Sequence, residues 1–208
     1  MMNTKEFEKS YINHYKLLEE DFKSTFSYVT LEPDNYDTYS SIYLKILLSI
    51  GSEIDILKKY LASLIKSDFN ENRDNPNKII VNFDNEFQNL EIKLFSNDEI
   101  IKPWDCNKEQ DWWTAYNEIK HHRLDEADKF DSNKKYYQFA NLRNVLYALS
   151  ALYSLEMYVY RLIAIQHNEK LFIPTIKTLF CINNSHWKGV QHGRGSVFID
   201  GCLYVNEM

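Results

Sequence analysis

The chain has 208 residues and a formal net charge of −6 at pH 7. This length accommodates one substantial hydrophobic core, so one domain with an appendage is expected rather than two full domains. The negative charge argues against a broad surface that coats nucleic acid and leaves room for a local cationic site. Only 5 Gly and 4 Pro, with 15% aromatic residues, favour long uninterrupted helices over a turn-rich β fold.

The start of the chain, MMNTKEFEKS, is polar and has no apolar segment of the kind found in secretory signals. Long apolar stretches elsewhere are interrupted by Lys, Glu or Arg well before the roughly 18 residues that a membrane span needs. Three widely separated cysteines are typical of reduced thiols rather than of a disulfide framework. We therefore expect a cytoplasmic protein without membrane contact.

Hydrophobic periodicity predicts two long helices in the N-terminal third. The first starts at Asn3-Thr4, which can cap it, and runs to about Val29, because Phe, Tyr and Leu recur every three or four residues. The second is predicted from about Tyr36 to Ser67. The following residues 68–77 are rich in Asn and Asp and indicate a loop.

A short hairpin and a tryptophan-rich helix are predicted next. Residues 90–104 alternate apolar and polar side chains around Ser96-Asn97-Asp98, which is typical of a β-hairpin. A helix follows from about Lys108 to Leu124, and then a polar segment at 125–135.

The strongest helix prediction covers Tyr137 to His167, which is apolar on most of its circumference and should therefore be central. Residues 168–208 read as a small β-type C-terminal appendage, with a hairpin at Asp200-Gly201. The predicted fold is mainly α, a helical bundle over residues 1–167 with small β-hairpin additions.

The segment Trp112 to Arg123, WWTAYNEIKHHR, carries the densest candidate chemistry. On a helix, one face collects Trp113, Tyr116, Asn117, Lys120, His121 and Leu124, with Arg123 at its edge. Unpaired buried polar groups cost several kcal/mol, so this face needs partners from the chain, a second subunit or a ligand. On the outer face, Glu118 and His122 stand four residues apart and can form a local pair.

Glu53 is the carboxylate of the second helix that we expect to be half-buried. It lies among Ile42, Ile46 and Tyr60 on the helical wheel, whereas Asp55 lies nearer the polar side. A half-buried carboxylate wants a cation, and we expect Lys120 or Arg123 to supply it.

Three groups of residues carry a family resemblance over about residues 36–166. They are Tyr116-Asn117 with Lys120-His121 and Arg123, the earlier Ser52-Glu53-Ile54-Asp55, and Ala140-Asn141-Leu142 with Asn144-Val145-Leu146 at the start of the long apolar helix. Together they resemble the HEPN-like helical proteins of bacteria. The resemblance implies a helical bundle, commonly a homodimer, that in many relatives is a metal-independent ribonuclease of toxin–antitoxin or phage-defence systems.

The family signature is an Arg followed by a His after four to six residues. This chain departs from it, because Asn117 stands where the Arg would be if His122 is the signature His. The resemblance therefore implies one of two functions. The first is an endoribonuclease that cleaves RNA by 2′-hydroxyl transesterification, and the second is a non-catalytic interaction module, bound to an antitoxin or another protein or dimerised through the same polar face.

For the ribonuclease, the resemblance and the helical face suggest a division of roles. His121 would transfer a proton to or from the RNA, typically worth about 10² to 10⁴ in rate. Lys120 and Arg123 would stabilise charge on the phosphate, Asn117 would orient the imidazole or a phosphate oxygen, and Glu53 would complete the cluster. Alternatively, these five residues form a satisfied polar network between helices.

Trp113 and Tyr116 can stack on RNA bases, with His122 beside them, although such aromatics more often belong to a core. No metal or other cofactor is expected. Cys181, His186, His192 and Cys202 are four potential zinc ligands, but their spacing lacks the close pairs of zinc ribbons and fingers.

Overall fold

The structure, a computed structural model, describes residues 2–94, 96, 99–105, 111–167 and 178–182, together with the strand backbones at 191–193, 196–199 and 202–205. The described chain is mainly α-helical with small β-sheets, which confirms the predicted class.

The N-terminal helix is built from α1 (Thr4–Phe7), a five-residue π-helical segment (Glu8–Ile12) and α2 (Asn13–Ser24). The predicted cap at Asn3 is confirmed, and it forms a capping box. The Asn3 side chain accepts from the Glu6 backbone N–H, and the Glu6 carboxylate accepts from the Asn3 backbone N–H, both at 3.0 Å. Periodicity does not indicate the π segment, since one wider turn barely disturbs the apolar stripe.

Two long helices form the centre of the molecule. They are α3 (Ser41–Ile65) and α6 (Leu142–Gln166), and they pack against each other along much of their length. Helix α6 is buried on most of its circumference, which confirms its predicted central place. Its residues bury large apolar area, and this is the main favourable contribution to folding.

Two shorter helices flank this pair: α4 (Pro76–Phe83) and α5 (Asp111–His122). Helix α5 is the predicted tryptophan helix. Helix α4 was not predicted, although its start carries ordinary signals: Pro76 occupies the first turn and the Asn75 side chain accepts from the Lys78 N–H at 3.2 Å.

The predicted hairpin over residues 90–104 is confirmed by β1 (Ile92–Leu94) and β2 (Ile100–Ile101), which pair antiparallel. A second hairpin, β3 (Glu126–Ala127) with β4 (Asp131–Lys135), occupies the segment predicted only as polar. Strand β5 (Phe180–Ile182) pairs with β1, so this part of the C-terminal region adds a strand to the sheet of the helical domain.

The C-terminal strands β6 (Gln191–Gly193), β7 (Ser196–Ile199) and β8 (Cys202–Val205) form a separate antiparallel sheet. Ile199 pairs with Cys202, while the predicted turn residues Asp200 and Gly201 lie outside the described residues.

Among the described helices, α6 alone is long and apolar enough to cross a membrane. However, 83% of its most apolar window is buried inside the protein, as in the core helix of a folded domain.

Candidate functional site

The position of α5 is set by a close approach to α3. Tyr116 is only 1% exposed, and its ring lies directly on Gly51. A Cβ atom at Gly51 would come within 2.2 Å of the Tyr116 ring, so no other residue fits there without moving the helices apart. The glycine is therefore required by packing rather than by backbone conformation.

A polar connection lies beside this contact. The Tyr116 hydroxyl donates to Asp55 Oδ2 at 3.0 Å, and Lys120 Nζ donates to the same hydroxyl at 3.3 Å. Lys120 Nζ is also 3.9 Å from Asp55 Oδ2. Burial, followed by the charge of Asp55, raises the pKa of Tyr116 well above its ordinary value. Of the five residues in the predicted network, this connection contains only Lys120, and Tyr116 and Asp55 are its other two members.

The predicted partner of Glu53 was wrong. Glu53 is half-buried, as expected, but it faces the N-terminal helix, and Asp55 is the carboxylate that meets Lys120. Residues two positions apart on a helix point about 200° away from each other, so Glu53 and Asp55 face different neighbours. Burial raises the pKa of Glu53, and His14 of α2 partly offsets this.

The other predicted catalytic residues do not assemble around a common centre. Asn117 Nδ2 donates to the Trp113 carbonyl of its own helix at 3.0 Å, so it does not orient an imidazole. His121 and Arg123 are exposed, and their side chains make no hydrogen bond or ion pair within the described part of the chain. Of the five residues, only Lys120 has the inter-helix role that was expected.

The predicted local pair between Glu118 and His122 was also wrong. His122 Nδ1 lies 3.2 Å from Asp125 Oδ2, while Glu118 accepts from Lys129 of the β3–β4 connection. The hairpin absent from the prediction supplies this competing cation. His122 itself is exposed.

At the other end of α5, a cleft of about 610 Å³ opens between α3, α4 and α5. Ile80, Phe87 and Trp104 contribute its apolar surface. Trp104 is held firmly, because its Nε1 donates to Ser154 Oγ of α6 at 2.9 Å and its ring packs 5.0 Å from that of Phe87. We call this the indole cleft, since half-buried Trp113 lines it beside Trp104.

The cation of the indole cleft is Lys58, which is only 6% exposed. Its Nζ lies 3.9 Å from the centre of the Trp113 ring and 5.0 Å from that of Trp104. Both distances are within the range in which the π face of an indole attracts an ammonium. A positive group is thereby kept among aromatic rings rather than in water.

Polar side chains surround the indole cleft. Asn77, Gln88 and Thr114 contribute two carboxamides and a hydroxyl, and none of these side chains makes a hydrogen bond within the described residues. Lys129 adds a second ammonium, which is paired with Glu118. Among the described residues, no carboxylate lines the cleft.

The predicted RNA-binding residues divide between these two ends of α5. Trp113 lines the cleft, whereas Tyr116 is buried against Gly51 and cannot stack on a base. Sequence reasoning missed Lys58, Asn77 and Gln88. Lys58 follows Gly51 by seven residues and Asp55 by three, so all three lie on the face of α3 that meets α5. No local sequence signal shows that this face contacts tryptophans.

No group of three or more His, Cys, Asp or Glu residues suited to a metal ion occurs in the described part of the chain. Of the four potential zinc ligands, only the Cys181 side chain falls within that part, and it is half-buried in β5. The side chains of His186, His192 and Cys202 lie outside it.

Comparisons of this chain with protein-family models, with curated proteins and with solved structures find no match.

Proposed function

We propose that this protein is a cytoplasmic binding module for single-stranded RNA that accepts a base in the indole cleft. The observation that carries the proposal is the lining of that cleft: indole surfaces, two ammonium groups and three hydrogen-bonding side chains without partners in the described chain. A HEPN-like helical bundle that forms a homodimer is the architecture we propose with it.

The chemistry of the cleft matches an unpaired nucleotide. A base is planar and apolar on its faces, its edge carries donors and acceptors, and its phosphate is anionic. Stacking of a base on an aromatic side chain is worth about 1 to 3 kcal/mol. The carboxamides of Asn77 and Gln88 each offer a donor and an acceptor for a base edge. A volume of about 610 Å³ falls in the range of small-ligand sites and accommodates one nucleotide.

The net charge of −6 limits the size of such a site. A small number of phosphate contacts predicts a shallow dependence of affinity on salt, compared with a protein that coats nucleic acid. The proposal therefore requires binding that depends more on the base than on the length of the strand.

The test is a titration of a labelled single-stranded RNA by fluorescence anisotropy, with tryptophan quenching as a second signal. Trp113→Leu keeps an apolar side chain but removes the aromatic face, and we expect affinity to fall at least tenfold. Gln88→Ala and Asn77→Ala should each weaken binding several-fold. The matched control is Asn82→Ala, an exposed position on the same helix as Asn77 that does not line the cleft.

Equal binding by wild type and Trp113→Leu would remove the cleft from RNA recognition. Absence of binding to any RNA would favour the second class of function, in which this face contacts a protein. Size-exclusion chromatography with light scattering tests the proposed homodimer independently of RNA.

A second candidate function is metal-independent RNA cleavage, and the observation that favours it is the state of His121. This imidazole is exposed and makes no hydrogen bond within the described residues. It follows Trp113 by eight residues, about 12 Å along α5, so one bound strand can reach both. Catalysis then needs a second acid, base or cation from elsewhere, since Asn117 and Lys120 are engaged.

The assay is gel analysis of a mixed RNA in EDTA with wild type, His121→Ala and His122→Ala. His122→Ala is the matched control because that imidazole is adjacent but held by Asp125. Cleavage by wild type and His122→Ala alone, leaving 2′,3′-cyclic phosphate ends, is the result expected of a ribonuclease. Intact RNA in all lanes would reject catalysis and leave the binding module.

A further inference from the structure

A second unusual feature lies away from the indole cleft, in the middle of α6. Glu156 is 0% exposed, and neither of its carboxyl oxygens has a hydrogen-bond partner. Buried polar groups are nearly always bonded, and an unbonded one costs about 1 to 3 kcal/mol. A Leu or Met at this position would fill the same space without that cost.

The register of the helices places Glu156 under the π segment. Tyr153 of α6 packs 5.9 Å from Tyr15 between ring centres, and the Tyr160 hydroxyl donates to Glu8 at 2.9 Å. The two helices therefore run antiparallel, and Glu156 lies opposite about Tyr11 and Ile12. These residues end the π segment Glu8–Ile12, a widened turn of a kind that is frequent at functional sites.

The ionisable groups around Glu156 come from three helices. The charge of Glu53 in α3 raises the pKa of Glu156. In the N-terminal helix, His14 lowers the pKa of Glu53, and Glu53 raises the pKa of Tyr11. The Tyr60 hydroxyl of α3 is also buried without a partner. The remaining groups on this face already have partners or are neutral: Glu8 with Tyr160, Glu19 with Tyr15 and Lys23, and Tyr153 near Cys181.

No cation meets Glu156 in this arrangement of the described residues. Burial, followed by the charge of Glu53, raises the pKa of Glu156 well above its ordinary value of 4.5. Burial therefore favours the neutral carboxylic acid over the carboxylate at this position. An ionised carboxylate needs water or a cation, so ionisation favours an opening of the fold that lets water reach this position.

We propose that the N-terminal helix, residues 4–24, is a proton-linked clamp that stays docked on α3 and α6 while Glu156 is neutral and opens when Glu156 ionises. Opening exposes the two carboxyl groups of Glu53 and Glu156, while α3 and α6 remain packed on each other. The clamp is independent of the proposed RNA function, because its residues do not line the indole cleft.

Hydrogen–deuterium exchange of the full chain tests the clamp between pH 6 and 9, with wild type and Glu156→Gln measured side by side. Gln has nearly the same shape and cannot ionise. Relative to this variant, the opening constant of residues 4–24 in wild type should rise with pH, by up to roughly tenfold per unit for one linked proton. The comparison at each pH cancels the intrinsic pH dependence of exchange.

Glu19→Gln is a control on the same helix, since Glu19 also fixes it to the domain but is fully bonded. This variant should exchange faster at every pH without changing the slope. Glu156→Leu is a second non-ionisable variant and should behave as Glu156→Gln does.

Three results would overturn the clamp. One is the same pH dependence in wild type and Glu156→Gln. Another is loss of protection in α3 and α6 in step with residues 4–24, which would mean global unfolding. The third is failure of both Glu156 variants to fold, because the proposal requires that a neutral side chain be accepted there.

Discussion

Two buried carboxyl groups differ in every respect except burial. Glu19 of the N-terminal helix is 1% exposed, and Glu156 of α6 is 0% exposed. Glu19 accepts hydrogen bonds from Tyr15 and Lys23 of its own helix at 2.9 Å, and from Thr178 and the Leu179 N–H at 2.7 Å. Glu156 accepts none within the described part of the chain.

Burial alone therefore does not decide whether a carboxyl side chain stabilises the fold. Two of the four donors of Glu19 come from a segment about 160 residues away, which also carries β5 onto the sheet. Glu19 thus joins the two ends of the described domain. Among the described residues, no segment supplies hydrogen-bond donors to Glu156, so the free-energy cost of burying its carboxyl group remains. That cost is our reason to assign Glu156 a role.

The largest expected effect is from Glu19→Ala. Removing this carboxylate takes the acceptor from the Leu179 N–H and one acceptor each from Tyr15, Thr178 and Lys23. Lys23 retains Glu20, and the two hydroxyls retain each other. We expect a loss of about 3 kcal/mol, the lower end of the range for a broken buried ion pair, because Lys23 is partly exposed. Urea unfolding at pH 7 measures the loss. Glu19→Gln, which keeps one acceptor oxygen, should lose distinctly less, and equal losses would show that shape rather than bonding decides.

Glu156→Leu should act in the opposite direction and stabilise the protein by about 1 to 3 kcal/mol. The contribution of Glu156 to the stability of the wild type depends on pH. Because the pKa of Glu156 is raised in the folded protein, the stability that goes with its neutral form is fully present below pH 4.5. It is lost as the pH rises toward and through the raised pKa. The advantage of the Glu156→Leu variant over wild type should therefore grow between pH 5 and pH 8. A constant difference over that range would contradict an ionisable cost.

Gly51→Ala extends the comparison to the interface of α3 with α5, where packing rather than charge is critical. The added methyl group meets the buried Tyr116 ring at 2.2 Å, and overpacking of this kind costs about 1 to 3 kcal/mol. Thermal unfolding measures the effect. Ser49→Ala, at a partly exposed position of the same helix, is the control and should change stability little. An unchanged midpoint for Gly51→Ala would mean that α5 shifts freely.

Tyr116→Phe and Lys120→Met should have the smallest effects. Tyr116→Phe removes one hydroxyl that joins Asp55 and Lys120 and should cost about 0.5 to 1.5 kcal/mol. Lys120→Met should cost less still. Asp55 and Lys120 are 42% and 47% exposed in their side chains, and exposed pairs contribute little. Chemical denaturation of both variants checks this order, and a larger loss for Lys120→Met would reverse it.

Local signals predicted the long helices and the β1–β2 hairpin correctly. The Asn3 cap, the stripe of α3 and the apolar circumference of α6 are properties of consecutive residues, so no tertiary information is needed to recognise them. Helix α4 escaped prediction because it is only eight residues long, and the β3–β4 hairpin escaped it because its strands are short and polar. Tertiary contacts override weak local preferences in such segments.

The site was predicted less well, for a geometric reason. A helical wheel orders residues around one helix but does not say which neighbour each face meets. That Asp55, and not Glu53, faces α5 depends on the approach of Tyr116 to Gly51. The helical wheel for α5 likewise grouped Asn117 with His121, whereas the Asn117 side chain donates to the Trp113 carbonyl of the same helix.

A mainly helical chain with a central apolar helix is predictable from the amino-acid pattern, because periodicity and capping act between near neighbours. The other features depend on how the helices pack. The tertiary structure placed Lys58 between Trp104 and Trp113, joined Glu19 to residues 178–179, and left Glu156 without a partner among the described residues. These features arise between residues far apart in the chain, and a contact of that kind exists only once the helices have packed.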